Sequence, residues 1–335
     1  MAKILPQSMV LSAMRVVPPQ KISHITGIKS PAGVEAEGWF TGCTLTTEQM
    51  VTLPEDYVIR KIIKAVNLAK EQGAKIVGLG AYTAVVGDAG ITISKNVDVP
   101  VTTGNTYTVA TALLGLEWAS KKMGVELKDS KVGVVGAYGS IGKACARALA
   151  GRVGEMFLIG RKETELEKLK EELKTKSVVS ISTDARATLP SLDALVTVTS
   201  SVDTVIEPED LKVGAIVCDV ARPRDVSKRV SEVRDDVLVF EGGAVEIPGK
   251  DADFHFNFGF PPKTSYACMA ETMILALEKR YENYSLGRDL DVNKVYEMIE
   301  LAKKHGFKLA GLRSFEKTVS EEDIYKIREI IAKKK

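Results

Sequence analysis

Short apolar runs alternate with stretches of helical periodicity through the middle of the chain. The runs lie at 131–135, 156–159, 178–181, 194–199, 215–220 and 237–240. Between the second and third runs, Leu166, Leu169 and Leu173 recur at helical spacing. Strands that alternate with helical connections are typical of a parallel sheet covered by helices. We therefore predict an α/β fold whose centre, residues 125–260, is a doubly wound parallel sheet of Rossmann type.

The first third of the chain predicts a second, smaller α/β unit. A strand candidate at 75–79 follows an amphipathic stretch at 59–70. A long helical pattern at 106–123 then leads into the central domain. We predict that residues 1–124 form an N-terminal substrate domain.

The last part of the chain is mainly helical. Two adjacent prolines at 261–262 separate it from the central domain, because proline cannot continue a helix or a central strand. We predict that residues 261–335 pack back on the N-terminal domain, which leaves a cleft between two lobes. The helical patterns lie at 265–281, 292–305 and 321–334.

The charge balance argues against a nucleic-acid-binding surface. Lys and Arg number 46 against 44 Asp and Glu, a formal net charge of +2, whereas proteins that bind along phosphates carry a basic excess. No apolar run approaches the roughly 20 residues that span a bilayer, and the N-terminus lacks a signal-peptide pattern. We expect a cytoplasmic protein with no transmembrane segment and no nucleic-acid partner.

A glycine-rich turn carries the clearest functional signal. Gly136, Gly139 and Gly142 form a GxxGxxG pattern between a Val-rich strand and an Ala-rich helix. In that context glycines let the backbone approach a pyrophosphate, and the N–H groups of the following helix bind it. A tight turn without ligand is the alternative. The predicted dinucleotide-binding residues here are Gly136, Ala137, Tyr138, Gly139, Ser140, Ile141 and Gly142.

The end of the second strand indicates which dinucleotide binds. An NAD site usually places an acidic residue there to bind the ribose 2′-hydroxyl, but this chain has Arg161 and Lys162. Arginine pairs with phosphate through two hydrogen bonds, so we predict NADPH rather than NADH. Thr199 and Ser200 close a later strand, where ligands of open α/β sheets bind, and are further candidates. The sequence predicts no metal site, and a magnesium requirement cannot be read from it.

The four cysteines are widely spread and form no CxxC pair, which is typical of free thiols in a reducing compartment. Cys145 and Cys218 lie within an apolar helix and strand and are expected to be buried and inert. Cys43 closes a probable strand and has no cationic neighbour in sequence.

Cys268 is placed differently from the other thiols. A helix is predicted to begin at Thr264 or Ser265, capped by the hydroxyl, with Cys268 in its first turn. There the helix dipole and Lys263 would favour the thiolate. From the residues alone, a reactive thiol and a small core side chain explain Cys268 equally well.

Several motifs together resemble the long-chain acyl-[acyl-carrier-protein] reductases, NADPH enzymes that form aldehydes. The resemblance runs from about residue 17 to 315, and its motifs are specific in combination although the glycine turn alone is not. The matching stretches are 17–20 (VPPQ), 102–106 (TTGNT), 135–142 (VGAYGSIG), 266–271 (YACMAE), 283–288 (NYSLGR) and 305–307 (HGF).

The resemblance implies a reaction and a nucleophile. The family's cysteine in the matching stretch accepts the acyl group as a thioester, and that role maps onto Cys268. The implied substrate is an acyl thioester on acyl-carrier protein or CoA, reduced by NADPH to a fatty aldehyde. Lys279, Arg280 and Arg288 are candidate cations for docking an acidic carrier. The resemblance leaves oligomeric state and acyl chain length open.

Three features depart from the family pattern. The N-terminus and the segment 85–101 look shorter than in the cyanobacterial enzymes, which suggests a different, shorter acyl group. The stretch 219–226 looks closer to glutamyl-tRNA reductases, whose cysteine lies in the N-terminal domain. That alternative would make Cys43 the nucleophile.

Two further hypotheses remain open at this point. The first is an NADP-dependent dehydrogenase of the shikimate or amino-acid type, without a covalent intermediate. The second is an NADPH-responsive binding protein without turnover. The fold does not distinguish them from the reductase.

Overall fold

A computed structural model describes residues 7–201 and 203–334 of the chain. Its strands are β1 Gln20–Lys29, β2 Glu35–Gly42, β3 Val77–Gly78, β4 Val101–Thr102, β5 Lys131–Val135, β6 Glu155–Ile159, β7 Val178–Ser182, β8 Ala194–Thr197, β9 Ile216–Asp219, β10 Leu238–Glu241, β11 Ala244–Glu246, β12 Thr264–Tyr266, β13 Lys308–Leu309, β14 Arg313–Ser314 and β15 Lys317–Thr318. Its α-helices are α1 Gln7–Val16, α2 Thr47–Thr52, α3 Glu55–Glu71, α4 Ile91–Ser94, α5 Asn105–Met123, α6 Ser140–Leu149, α7 Glu163–Leu173, α8 Ala185–Thr188, α9 Arg229–Val233, α10 Ala267–Leu277, α11 Val292–His305 and α12 Glu321–Lys334.

Strands β5 to β10 form a six-stranded parallel sheet in the order β10-β9-β8-β5-β6-β7. The apolar runs of the sequence become these strands because a sheet covered on both faces buries both sides of each strand. The order reverses between β5 and β8, which is where ligands bind in doubly wound sheets. The predicted Rossmann-type α/β fold is confirmed.

Helix α5 is the central helix of the molecule. Its side chains are buried on nearly every face, from Thr106 and Tyr107 to Ala119, as expected for a helix with packing partners all round. The C-terminal helices α10, α11 and α12 pack against it, and so does α6 of the sheet domain.

The N-terminal part is a hairpin, β1–β2, beside α3 and the short parallel pair β3–β4. The three domain boundaries remain predictions. Residues 1–6 and Lys335, the extremes of the outer two predicted domains, lie outside the described residues. So does Val202 of the central domain.

One predicted helix start is wrong. Residues 264–266 form strand β12, which pairs with β11, and α10 begins only at Ala267. The residue before the helix is Tyr266, and no side chain caps the first turn. Residues 264–266 therefore pair with β11, a strand about 20 residues earlier in the chain, instead of forming the helix start that the capping pattern predicted.

Candidate active site

The glycine turn has the geometry of a phosphate-binding loop. Gly136 adopts a left-handed φ of 81°, and its carbonyl accepts the Gly139 N–H at 3.0 Å. A Cβ on Gly142 would come within 2.2 Å of the Gly136 carbonyl oxygen, so the turn and α6 can pack this closely only without a side chain. No side chain caps α6, which leaves its first N–H groups available for a pyrophosphate.

The side chains of this turn pack against the sheet domain. Ala137 is buried beneath the turn, and Ile141 is half-buried. The Tyr138 ring lies against Gly160 at the end of β6, since a Cβ on Gly160 would be 2.6 Å from Tyr138 Cε1. This packing leaves the edge of the sheet open beyond Gly160.

Arg161 and Lys162 follow directly after β6 and are exposed. Within the described residues neither forms an ion pair. Two unpaired cations at the end of the second strand fit a ribose 2′-phosphate better than a hydroxyl. The residues present therefore fit NADPH.

Thr199 and Ser200 follow the carboxyl end of β8, and the polar groups of Thr199 already have partners. The Thr199 backbone N–H donates to Asp225 Oδ2 at 2.9 Å, and its hydroxyl donates to the other oxygen of that carboxylate. The Ser200 carbonyl accepts the Tyr82 hydroxyl at 3.3 Å. Thr199 thus shapes the loop after β8, and Tyr82 joins that loop to the N-terminal part.

Cys268 is the second residue of α10 and lies directly against the start of α5. Gly104, the residue before α5, has a left-handed φ of 74°. A Cβ on Gly104 would lie 2.2–2.4 Å from Cys268 Cα, O and Cβ. The TTGNT and YACMAE motifs, far apart in sequence, are therefore in contact through Gly104 and Cys268.

The predicted activation of Cys268 is wrong for the ligand-free protein. Burial raises the pKa of its thiol to about 11, and the Glu271 carboxylate adds to the rise. Backbone N–H groups of Met269 and Ala81 lower the pKa, whereas Lys263 has no part in it. The loss of hydration around the thiol therefore outweighs the stabilisation that the helix terminus gives to the thiolate.

Glu271 is a fully buried carboxylate that the sequence reasoning did not assign. The hydroxyls of Thr102 and Ser285 donate to its Oε1, and the Tyr107 N–H donates to Oε2 at 2.8 Å. Burial raises the pKa of this carboxyl. Glu271 thereby ties α10 to the first turn of α5 and holds Cys268 against Gly104. The feature of the sequence that could have pointed to Glu271 is its position three residues after the cysteine.

An apolar cavity of about 470 Å³ opens beside Cys268. This volume lies within the range of roughly 300–1,000 Å³ of small-molecule sites. Its walls come from β1, β2, α3, β3 and α10, and Cys43 lines it as well. Burial raises the pKa of the Cys43 thiol, and Lys61 lowers it. By contrast, Cys145 and Cys218 are fully buried in the core, as expected.

The thiol and the glycine turn meet at the same end of α5. Asn105, the residue after Gly104, donates from Nδ2 to Ser140 Oγ of the glycine turn at 3.4 Å. The Ser140 hydroxyl in turn donates to the Gly287 carbonyl at 3.3 Å. A cofactor on the turn and an acyl group on Cys268 would therefore face one another across the first turn of α5.

Membrane-spanning helices and metal clusters are both absent from the described part of the chain. None of the helices in 7–201 and 203–334 has the length and apolar character needed to cross a bilayer. The same residues hold no cluster of three or more side chains suited to bind a metal ion.

Comparisons with known proteins bear on the family and the fold of the chain. A sequence model of the shikimate/quinate 5-dehydrogenase family matches residues 117–241. The chain is 28% identical to a long-chain acyl-[acyl-carrier-protein] reductase of Synechococcus elongatus, over 88% of this chain and 89% of that protein. The resemblance predicted from the motifs is confirmed.

Two other proteins are similar over much of the chain. It is 30% identical to the aminotransferase PigE of a Serratia species over 90% of its own length, but it spans only 36% of PigE. An L-tryptophan dehydrogenase from Nostoc punctiforme has a TM-score of 0.39 at 14% identity, covering 73% of this chain and 65% of that one.

Proposed function

We propose that the protein reduces an acyl thioester to an aldehyde with NADPH through a thioester on Cys268. One observation carries the proposal. Cys268 lines an apolar cavity and lies against the start of α5, and this same end of α5 contacts the glycine turn. An acyl chain needs apolar walls, and a covalent intermediate needs a thiol at their end. The similarity to the Synechococcus reductase supports the same assignment.

The chain's own groups account for acyl capture. The Cys268 sulfur attacks the thioester carbonyl carbon, and the new C–S bond replaces the bond to the donor thiol. That thiol leaves with the proton that Cys268 gives up. The N–H groups of Met269 and Ala81 favour the thiolate and so increase the fraction of Cys268 in its nucleophilic form. The apolar walls exclude the water that would otherwise hydrolyse the acyl-enzyme.

The reduction step uses the second half of the site. The α6 N-terminus and Arg161 would hold NADPH, which when bound would supply a hydride for the acyl carbon. Cys268 then leaves as a thiolate when its C–S bond breaks, and it takes a proton from solvent. Glu271 and Gly104 keep the sulfur in place during both steps.

The acyl donor is proposed as CoA or acyl-carrier protein, which share a pantetheine thiol. Of the candidate docking cations, Arg280 already pairs with Glu282 and Glu297, and Arg288 donates to the Gly87 carbonyl at 2.9 Å. Lys279 is exposed. Carrier docking therefore rests on the relative's activity rather than on a basic surface.

A second candidate is a dehydrogenase of the shikimate or amino-acid type, favoured by the family match over residues 117–241. That match covers the sheet domain and stops before Cys268. A dehydrogenase without a covalent intermediate has no need for a thiol on the cavity wall.

Intact mass spectrometry after incubation with acyl-CoA and no NADPH tests the proposal. We expect one acyl adduct on the wild type, none on Cys268→Ala and one on Cys43→Ala. NADPH affinity should be equal in all three, which shows that each is folded. An adduct on Cys43, or none on the wild type with any thioester, would overturn the assignment.

A further inference from the structure

The cavity beside Cys268 follows helix α10 along its length. Cys268, Thr272 and Ala276 line it at four-residue spacing, so they form one face of the helix. The opposite wall runs antiparallel: Gly78 contacts Thr272, and Lys75 Nζ lies 5.5 Å from the Tyr281 ring centroid beyond the helix end. The cavity therefore has a reactive end at Cys268 and a far end at Tyr281.

Small residues create the space at the far end. Ala69 and Gly73 face the cavity from α3 and the turn after it, and Ala276 faces it from α10. The Trp39 indole also lines the cavity and lies against Gly73 at this end, since a Cβ on Gly73 would be 3.5 Å from Trp39 Cη2. His24 stacks on Trp39 with ring centroids 5.3 Å apart and an interplanar angle of 7°, which fixes the indole in place.

The spacing along α10 gives the length of the cavity. Eight residues separate Cys268 from Ala276, a rise of about 12 Å. A zigzag hydrocarbon with bonds of about 1.5 Å covers that distance with roughly ten carbons. Longer chains would have to pass between Trp39 and Tyr281.

We propose that Ala276, Trp39 and Tyr281 set the acyl chain length: chains of about ten carbons fill the cavity, and longer ones meet the Trp39–Tyr281 end. This inference rests on the proposed function, because it takes the cavity as the site of the Cys268-bound acyl chain. The exposed fraction of Tyr281 is 40%, so this end borders solvent and can admit the tail of a longer chain once it is opened.

The first test fills the cavity near its far end. In Ala276→Phe the ring lies over the preceding turn of α10 and shortens the space. Acyl-adduct formation without NADPH, measured by mass across acyl-CoAs of four to sixteen carbons, should fall about tenfold or more from ten carbons upward and stay within about twofold at four carbons. Ala187→Phe, which adds the same bulk at an exposed position outside the cavity, should leave the whole profile unchanged.

The second test opens the far end. Tyr281→Ala removes the ring beneath Lys75 and should raise adduct formation with sixteen carbons relative to ten by about tenfold. Unchanged chain-length profiles in both variants would overturn this inference while leaving the Cys268 thioester intact. No adduct in the wild type at any length would instead refute the proposed function.

Discussion

Arg161 is an exposed guanidinium without an ion-pair partner among the described residues, at the point where the second sheet strand ends. Arg161→Asp should weaken NADPH binding by roughly 10–100-fold, because it exchanges a charge-assisted pair for repulsion. NADH binding should change by less than about threefold, since NADH has no 2′-phosphate.

Titration of cofactor fluorescence measures both constants. Lys176→Asp, the same charge reversal at an exposed site before β7, should leave both unchanged. Equal losses of NADPH and NADH affinity in Arg161→Asp would remove this residue from the 2′-phosphate site.

Asp219 at the end of β9 is a buried carboxyl with an unusual titration. Burial raises its pKa to about 7, and the Asp225 carboxylate adds to the rise. Because the folded protein holds this proton more tightly than the unfolded chain, the stabilisation is present at low pH and is lost as the pH rises from about 4 to 7. The amount is on the order of 2–4 kcal/mol.

Asp219→Asn should remove this dependence. Chemical unfolding at pH 4 and pH 7 should show that the wild type loses more stability across the interval than the variant. Asn retains one of the two acceptor oxygens that bind the Ala221 and Val226 N–H groups. We therefore also expect the variant to have a lower free energy of unfolding by an amount that does not depend on pH. Parallel curves for the two proteins would show that Asp219 does not titrate in this range.

Local motifs in the sequence were enough to propose the glycine turn and Arg161 as site residues, and the family resemblance added Cys268. Neither indicated a role for Glu271 or the electrostatics of the thiol. The pKa of Cys268 depends on burial and on a hydrogen bond from the N–H of Ala81, a residue distant in sequence, and no local pattern reveals either effect. The approach of Lys61 to Cys43 is equally invisible in the sequence.

At the scale of elements, the crossing of α5 and α10 determines the site. Gly104→Ala would force a left-handed φ on a residue with a Cβ and press that Cβ into Cys268. We expect a loss of about 2–5 kcal/mol in the free energy of unfolding, from backbone strain together with overpacking.

A matched control separates these two contributions. Gly33 has a similar φ of 79°, and no other atom lies within 4 Å of the position that a Cβ would take there. Gly33→Ala therefore carries the backbone strain alone, about 1–2 kcal/mol. Urea unfolding of both variants measures the difference. Equal losses of unfolding free energy in the two variants would mean that α5 and α10 can move apart at Gly104 without a further loss of stability.

Element boundaries show where local patterns succeed. Helices α11 and α12 coincide with their predicted ranges, because their amphipathic periodicity and caps are local. Strand β12 was missed because it exists only through its pairing with β11. The cavity could not be predicted at all, since five separate elements enclose it.

At the scale of the whole molecule, α5 joins the two functions. Its first turn touches the glycine turn through Asn105 and the thiol through Gly104. The Tyr82–Ser200 hydrogen bond adds a second connection between the N-terminal part and the sheet. In the proposed reaction, one buried helix would therefore set the position of the hydride donor relative to the acyl-accepting thiol.

The cavity also affects how the protein should behave as a purified material. Apolar walls surround a cavity of about 470 Å³, and a ligand that fills it adds contacts to these walls. Decanoic acid, which has no thioester to react, should fill them and stabilise the fold by about 2.7 kcal/mol at a hundredfold excess over its Kd. Calorimetry should show that the same concentration of decanoic acid raises the Tm of the wild type more than it raises the Tm of Ala276→Phe. Preparations from lipid-rich extracts should then have a higher Tm than delipidated ones, because lipid bound in the cavity stabilises the folded protein.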